Sequence, residues 1–354
     1  MPFDPQCLAT GIGSFPHKDV ERACDLILET IPAIPIWPQL PKANFREQME
    51  AQYSEAFPNV VIDDSKEKMY FNTGEESTTE LETFYESYME ENLDHFQISA
   101  EFRRGISAME KRLSADRPKS LQFIKSQVTG PVTFGLATVD ENKRALYYNE
   151  VYRDVVIKGI TMKARWLLDK FKVFGYRQIC FVDEPILSGF GSSTYVSVQR
   201  EDVVRDLKEV VDAVHADAAL VGTHCCGNTE WPILIDAGVD IISFDAFEFG
   251  DTIAYYPDQT KEFLEKGGVL AWGIVPTSEK IVEESADSLI ARLKERITHL
   301  SSKGINENLI WEKCLLTPSC GTGSLSVELS EKVFHTLSEV SRILRGSRLP
   351  KPAA

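Results

Sequence analysis

Three residues in this chain have the types and positions to hold a soft metal. His224 and Cys226 lie two apart in Thr223-His224-Cys225-Cys226-Gly227-Asn228-Thr229, directly after an apolar run. Cys320 follows another apolar run, in Thr317-Pro318-Ser319-Cys320-Gly321. Imidazole nitrogen and thiolate sulfur are the ligands Zn²⁺ prefers. Asp245, just past Ile241-Ile242-Ser243-Phe244, adds an oxygen ligand. A lone His-x-Cys carries little information. The signal is that all these residues fall at the ends of expected strands. Cys225 should point away from its neighbours and pack, and Cys7, Cys24, Cys180 and Cys314 belong to no constellation and read as core thiols.

Two further stretches are chemically informative. Val182-Asp183-Glu184-Pro185 sets adjacent carboxylates at a strand end. They are costly to cover unless they meet a cation or donors, which suits recognition of a substrate amine, and a solvated strand end is the bland alternative. Gly11-Ile12-Gly13-Ser14-Phe15-Pro16 combines glycines, which let backbone amides approach a ligand, with a hydroxyl that can bond a carboxylate. It is not a nucleotide loop, because GxGxxG and a Walker lysine are both absent.

The elements that must position these residues are short apolar runs: Ala9–Gly13, Ile34–Trp37, Phe123–Val128, Gln178–Val182, Ala218–Thr223, Ile241–Phe244, Val269–Ile274 and Lys313–Thr317. They lack strict alternation, as strands buried on both faces do. Helical stripes separate most of them. Val203, Leu207, Val210, Val211 and Val214 mark one over Asp202–His215, and Leu289, Leu293, Ile297 and Leu300 another over Ser285–Leu300. About eight strands alternating with helices predict an α/β fold, a (β/α)₈ TIM barrel, with a doubly wound open sheet as the alternative. Strand C-termini converge at the mouth of such a barrel, so His224, Cys226 and Cys320 can share one ion there. Residues 42–120 are too long for a crossover. Their acidic, helix-prone stretches, Glu75–Glu91 and Phe96–Arg112, predict an inserted helical subdomain or lid after the second strand. The chain reads as one catalytic domain, 1–345, with a frayed tail from Gly346 to Ala354.

Composition narrows the function classes. Of 354 residues, 43% are hydrophobic, enough for a large core, and 54 acidic against 38 basic residues give a net charge of −16. That sign repels phosphate backbones and anionic lipids, so neither nucleic acid nor a membrane is an expected partner. No apolar run reaches the roughly 18–20 residues of a membrane span. The N-terminus lacks the pattern of a signal peptide. Seven cysteines, an odd number, do not form a disulfide framework. A cytoplasmic protein is expected.

Five motifs then occur in a familiar order: Gly11-Ile12-Gly13-Ser14-Phe15-Pro16, Gly130-Pro131-Val132-Thr133, Asp183-Glu184-Pro185, His224-x-Cys226 and Pro318-x-Cys320-Gly321. Over about residues 8–345 the chain resembles the C-terminal catalytic barrel of cobalamin-independent methionine synthase, in its short single-barrel form. His224-x-Cys226-Gly227-Asn228-Thr229 is also similar to zinc methyltransferases related to uroporphyrinogen decarboxylase. The resemblance implies a zinc-bound thiol that attacks a methyl group, forming L-methionine from L-homocysteine. His224, Cys226 and Cys320 match its zinc ligands. Asp245 stands where the family has a longer Glu, with Glu248 as a fallback. Ile12 and Ser14 match positions that contact the amino-acid backbone of homocysteine, and Asp183 matches the carboxylate that takes its ammonium. A second acidic partner is expected within Glu47–Glu55.

Two departures bear on the methyl donor. Where the folate enzyme has a Trp seven residues after the Gly of its GPVT motif, this chain has Ala137. Where it has a His after the seventh strand, this chain reads Trp272-Gly273-Ile274-Val275-Pro276. A secondary amine leaves poorly without a general acid, whereas a cob(I)alamin needs no proton. The expected donor is therefore methylcobalamin or a methyl-corrinoid, supplied free or by a corrinoid methyl-carrier protein. His17 is the one candidate for a substitute acid. The alternatives are methyltetrahydrofolate as donor, coenzyme M or another thiol as acceptor, and a zinc- or corrinoid-binding protein without activity.

Overall fold

The structure is a computed structural model that describes residues 3–74 and 78–348. Its centre is a six-stranded parallel sheet in sequential order, β3 (Phe123–Thr129), β4 (Arg177–Asp183), β5 (Leu220–Cys225), β6 (Ile241–Phe244), β7 (Val269–Val275) and β8 (Cys314–Pro318). Ahead of it lies a two-stranded antiparallel hairpin, β1 (Val60–Asp63) and β2 (Lys68–Phe71). Helices α4 (Pro131–Ala137) with α5 (Glu150–Lys172), α6 (Arg200–Ala216), α7 (Pro232–Asp236), α8 (Ala246–Phe249) with α9 (Pro257–Glu265), and α10 (Ala286–Ser301) with α11 (Glu307–Glu312) connect the central strands in turn. α1 (Val20–Thr30) precedes the hairpin, and α12 (Val327–Arg348) follows β8.

Each of the six central strands buries both faces, and the two faces feed different cores. Phe123, Ile179, Phe181, Ile241, Val269, Ala271 and Leu315 cluster with Leu8, Ile12, Ala33 and Ile34 on one side. The residues one step along, among them Ile124, Cys180, Val182, Ile242, Leu270 and Leu316, pack with the helices on the other. Period-two alternation is thus present but invisible to hydropathy, because both sides are apolar. Cys225 lies fully buried in the helix-side core, as expected of it.

The first two expected strands differ from expectation. The segments around Ala9 and Ile36 form isolated parallel bridges, Ala9 with Leu316 of β8 and Ile36 with Lys125 of β3. They flank the two edges of the sheet and are tied to each other by Thr10 Oγ1 donating to Ile34 O at 2.8 Å and by a bridge between Ser14 and Gln39. Pro35 and Pro38 deny this stretch two ladder donors, so a continuous strand cannot form there.

The insertion is mixed, not purely helical. It holds α2 (Thr78–Met89) and α3 (Arg104–Ala115), as expected in kind, but also the β1–β2 hairpin, which joins the sheet side through a bridge from Phe71 to Asp140. Residues 75–77 of the expected first helix lie outside the described residues, and the second helix begins at Arg104, eight residues later than expected. The expected tail begins too early. α12 runs through Arg348, and residues 349–354 lie outside the described residues. Among the described residues, no helix is long and apolar enough to cross a membrane.

A candidate metal and substrate site

His224 is the fifth residue of β5, so its position and orientation come from the sheet itself. Its Nδ1 lies 3.0 Å from Ser243 Oγ on the neighbouring strand β6. That contact leaves Nε2, buried and without a nitrogen or oxygen partner, as the nitrogen available to a metal. β5 ends at Cys225, and the chain bends so that Cys226 turns back toward His224. Cys320 arrives from the end of β8. Among the described residues, one set of three potential ligands comes together: the ligand atoms of His224, Cys226 and Cys320 all lie within 4.8 Å of one another.

The thiols are electrostatically unequal. Cys320 first, and then the His224 ring, hold the Cys226 thiol far below the usual range. Cys226 and burial push Cys320 up. An imidazole and two thiols this close, each thiol able to bind as a thiolate, are the donor types that Zn²⁺ prefers, so the residues fit that metal.

Asp245 is not brought into this set. Its side chain accepts from Glu248 N at 2.9 Å and caps the short helix α8, and burial raises its pKa to about 6. A four-residue helix beginning immediately after the strand gives the Asp a local donor, and local bonds compete with a distant ligand role. Glu248, the fallback, is ion-paired with Lys280.

Beside these three candidate ligands opens a cavity of about 450 Å³. Ile12, Ser14, Asp183, His224 and Cys320 all line it, which brings together five of the residues singled out from the sequence. Gly321 and Gly323 close on Ser14, where a Cβ would sit 2.5 or 2.8 Å from Ser14 Oγ, so these glycines are needed for the approach. Asp183 is 7% exposed, its Oδ1 has no partner, and burial raises its pKa despite the opposing charge of Lys125.

Its neighbour Glu184 has a different task. Fully buried, it accepts from Val132 N, Thr133 N and Thr133 Oγ1 at 2.9, 2.7 and 2.6 Å. The Gly130-Pro131-Val132-Thr133 motif therefore locks the end of β4 to the start of α4, and only Asp183 of the carboxylate pair reaches the cavity. His17 does not reach it either. Its ring lies 3.6 Å from Glu331 on α12 and burial lowers its pKa.

None of the acids in 47–55 lines this cavity. Glu47 holds Arg104 and Leu40 N, Glu55 accepts from Ser99 N, and Glu50 lines a second cavity beside Ala137. What the sequence reading missed is Gln39, Gln127 and Lys125. Gln39 stands two residues past an expected strand, and Lys125, Gln127 and Thr129 alternate along β3, a period-two polar signal on the inner face. Lys125 is fully buried with its Nζ over the Phe181 ring at 4.0 Å, and burial pulls its pKa down to about 8.

No family model matches the chain, and no curated protein matches it. Among solved structures, a protein described as a fructose-1,6-biphosphate aldolase from Coccidioides immitis is 8% identical with a TM-score of 0.37, covering 96% of this chain and 91% of its own. Dihydropteroate synthase from Stenotrophomonas maltophilia is 12% identical with a TM-score of 0.26, covering 77% and 89%. That from Xanthomonas albilineans is 13% identical with a TM-score of 0.25, covering 83% and 99%. At such scores these likenesses carry no argument about this chain.

Proposed function

We propose that this chain is a zinc-dependent methyltransferase that forms L-methionine from L-homocysteine, with methylcobalamin or a methylated corrinoid protein as donor. Its scaffold on this reading is a (β/α)₈ barrel whose first two strands are the bridge-forming segments near Ala9 and Ile36. The observation that carries the reading is the gathering of His224, Cys226 and Cys320 at the rim of a cavity that also holds Asp183, Ile12 and Ser14.

His224, Cys226 and Cys320 would hold the zinc, with Asp245 a fourth ligand only on leaving its helix cap. Bound there, zinc supplies a Lewis acid that deprotonates a thiol of pKa roughly 8.5 and keeps it nucleophilic at neutral pH. Ser243 fixes the ring of His224 from the neighbouring strand, so the imidazole is oriented before any ligand arrives. Asp183 presents an unpartnered carboxylate oxygen to an ammonium, which sets the acceptor apart from thiols that lack one. Ser14 and the backbone around Ile12 face the same space and suit a carboxylate.

The donor follows from which acids are at hand. Among the described residues, His224 is the one histidine lining the cavity, and its ring is committed to Ser243 and the thiols. A folate amine would leave without a second histidine to supply its proton, while a corrinoid needs none. The test is methionine formation from L-homocysteine with methylcobalamin and, in parallel, methyltetrahydrofolate, using zinc-loaded and chelated protein. Zinc-dependent product from methylcobalamin alone is expected. Product from the folate would overturn the donor, and product unaffected by chelation would overturn the metal.

A further inference from the structure

The cavity contains more hydrogen-bond acceptors than Asp183 alone accounts for. Gln127, on the inner face of β3, is 2% exposed, and its Nε2 faces Trp37 O at 3.4 Å. A carbonyl can only accept, so the amide nitrogen must be on that side, and Oε1 is turned the other way. That Oε1 is buried and has no partner. Gln127 lines the cavity and lies two residues along β3 from Thr129, which pairs with Asp183.

Gln39 is oriented by the same logic through a relay. Gln52 Nε2 donates to Phe102 O at 2.7 Å, which makes Gln52 Oε1 an acceptor. Gln39 Nε2 donates to that oxygen at 2.7 Å. Gln39 Oε1 is thereby turned toward Gly13, where it stands 3.5 Å from the position of a Cβ, on the cavity wall. Two side-chain amides are thus each turned by a backbone carbonyl so that oxygen, not nitrogen, lies on the side away from it, and both residues line the cavity that Asp183 lines.

The geometry points to a three-acceptor cradle for a primary ammonium, built from the Asp183 carboxylate, Gln127 Oε1 and Gln39 Oε1. An ammonium has three N–H donors and no acceptor, which matches three oxygens and one negative charge. The neighbouring lysines do not occupy the cradle. Lys42 donates to Leu325 O, and Lys125 sits deeper, over Phe181, without a hydrogen bond. In this cradle the two neutral amides take the place of the second carboxylate that was expected among residues 47–55. The inference rests on the proposed function for the identity of the amine, and it names Gln39 and Gln127 as the residues that set the preference for an amino acid over other thiols.

Binding separates the two claims, because it needs no methyl transfer. Zinc-loaded protein is titrated calorimetrically with L-homocysteine, 2-hydroxy-4-mercaptobutanoate and 4-mercaptobutanoate. Wild-type protein should bind the amino acid at least about tenfold more tightly than either analogue. Gln127→Met and Gln39→Met should each remove about a factor of ten from that preference while leaving 4-mercaptobutanoate affinity unchanged. Gln52→Met, outside the cavity, frees the amide of Gln39 and should erode the preference in the same direction if a direct variant fails to fold. Wild-type preference that the variants retain overturns the cradle alone, as does equal binding of the hydroxy analogue. Wild-type protein that binds none of the three thiols overturns the homocysteine reading and the cradle with it.

Discussion

Replacing Gly130 by Ala tests the joint that aims Asp183 into the cavity. The backbone at Gly130 (φ −68°, ψ 153°) suits any residue, so Ala carries no conformational penalty and would by itself be slightly stabilising. The whole cost is contact. A Cβ there would lie 2.2 Å from both Cδ and Oε1 of Glu184 and 2.5 Å from its Cγ. Ordinary carbon contacts need roughly 3.5–4 Å, so Glu184 must retreat by more than about 1 Å. It cannot do so and keep its bonds to Val132 N, Thr133 N and Thr133 Oγ1. Overpacking costs about 1–3 kcal/mol, and one lost hydrogen bond to a carboxylate adds about 1.5–3, so Gly130→Ala should cost about 3–5 kcal/mol. Glu184→Ala alone strands two backbone donors at the first turn of α4 and should cost about 2–4 kcal/mol. In the double variant the new methyl has room, and its penalty should vanish. Urea unfolding of the four proteins at one pH should therefore give a coupling energy of about 3–5 kcal/mol, the whole cost of Gly130→Ala. Additivity to within about 0.5 kcal/mol would refute the reasoning, because the Gly would then be needed for something other than Glu184. The same Gly130→Ala protein should also bind L-homocysteine more weakly, since Asp183 is the residue next to the displaced side chain.

Two further outcomes follow from the site and the inner core. Zinc retention through gel filtration should fall at least about 100-fold in apparent affinity for Cys226→Ser, Cys320→Ser and His224→Ala, and by less than about tenfold for Asp245→Asn, which lies outside the cluster; a loss in Asp245→Asn equal to the others would make that carboxylate a ligand. Lys125→Met should be more stable than wild type at pH 7 by about 3 kcal/mol, because burial takes the lysine from 10.5 down to about 8 and each pKa unit is worth about 1.4 kcal/mol. The folded chain binds fewer protons than the unfolded one between pH 8 and 10.5, so wild-type stability rises through that window and the advantage of the variant should fade toward pH 10.5. Denaturant midpoints at pH 7 and pH 10 measure it, and a difference that does not shrink would overturn the assignment.

Much of this protein was determined by local pattern. The six central strands and their helices are legible because uninterrupted apolar runs and helical stripes each report burial over a short window. The helix over 285–300 even carries its start signal, since Ser285 and Ser288 form a capping box. The candidate site residues were legible for a related reason: polar residues that end apolar strands are confined to one rim, so His224, Cys226 and Cys320, which come within 4.8 Å of one another, and Asp183 beside them could be grouped from their positions in the chain. Tertiary structure decided what depends on partners distant in sequence. Asp183 and Glu184 are adjacent and chemically alike, yet the amides of Val132 and Thr133, about fifty residues earlier, claim one and leave the other to the cavity. Asp245 was drawn to a cap three residues away, a competitor that composition does not weigh. The amides of Gln39 and Gln127 face the cavity oxygen-first only because Phe102 and Trp37 place carbonyls behind them. Hydrogen bonds saturate, and which donor reaches an acceptor first is a property of folded geometry, not of residue type.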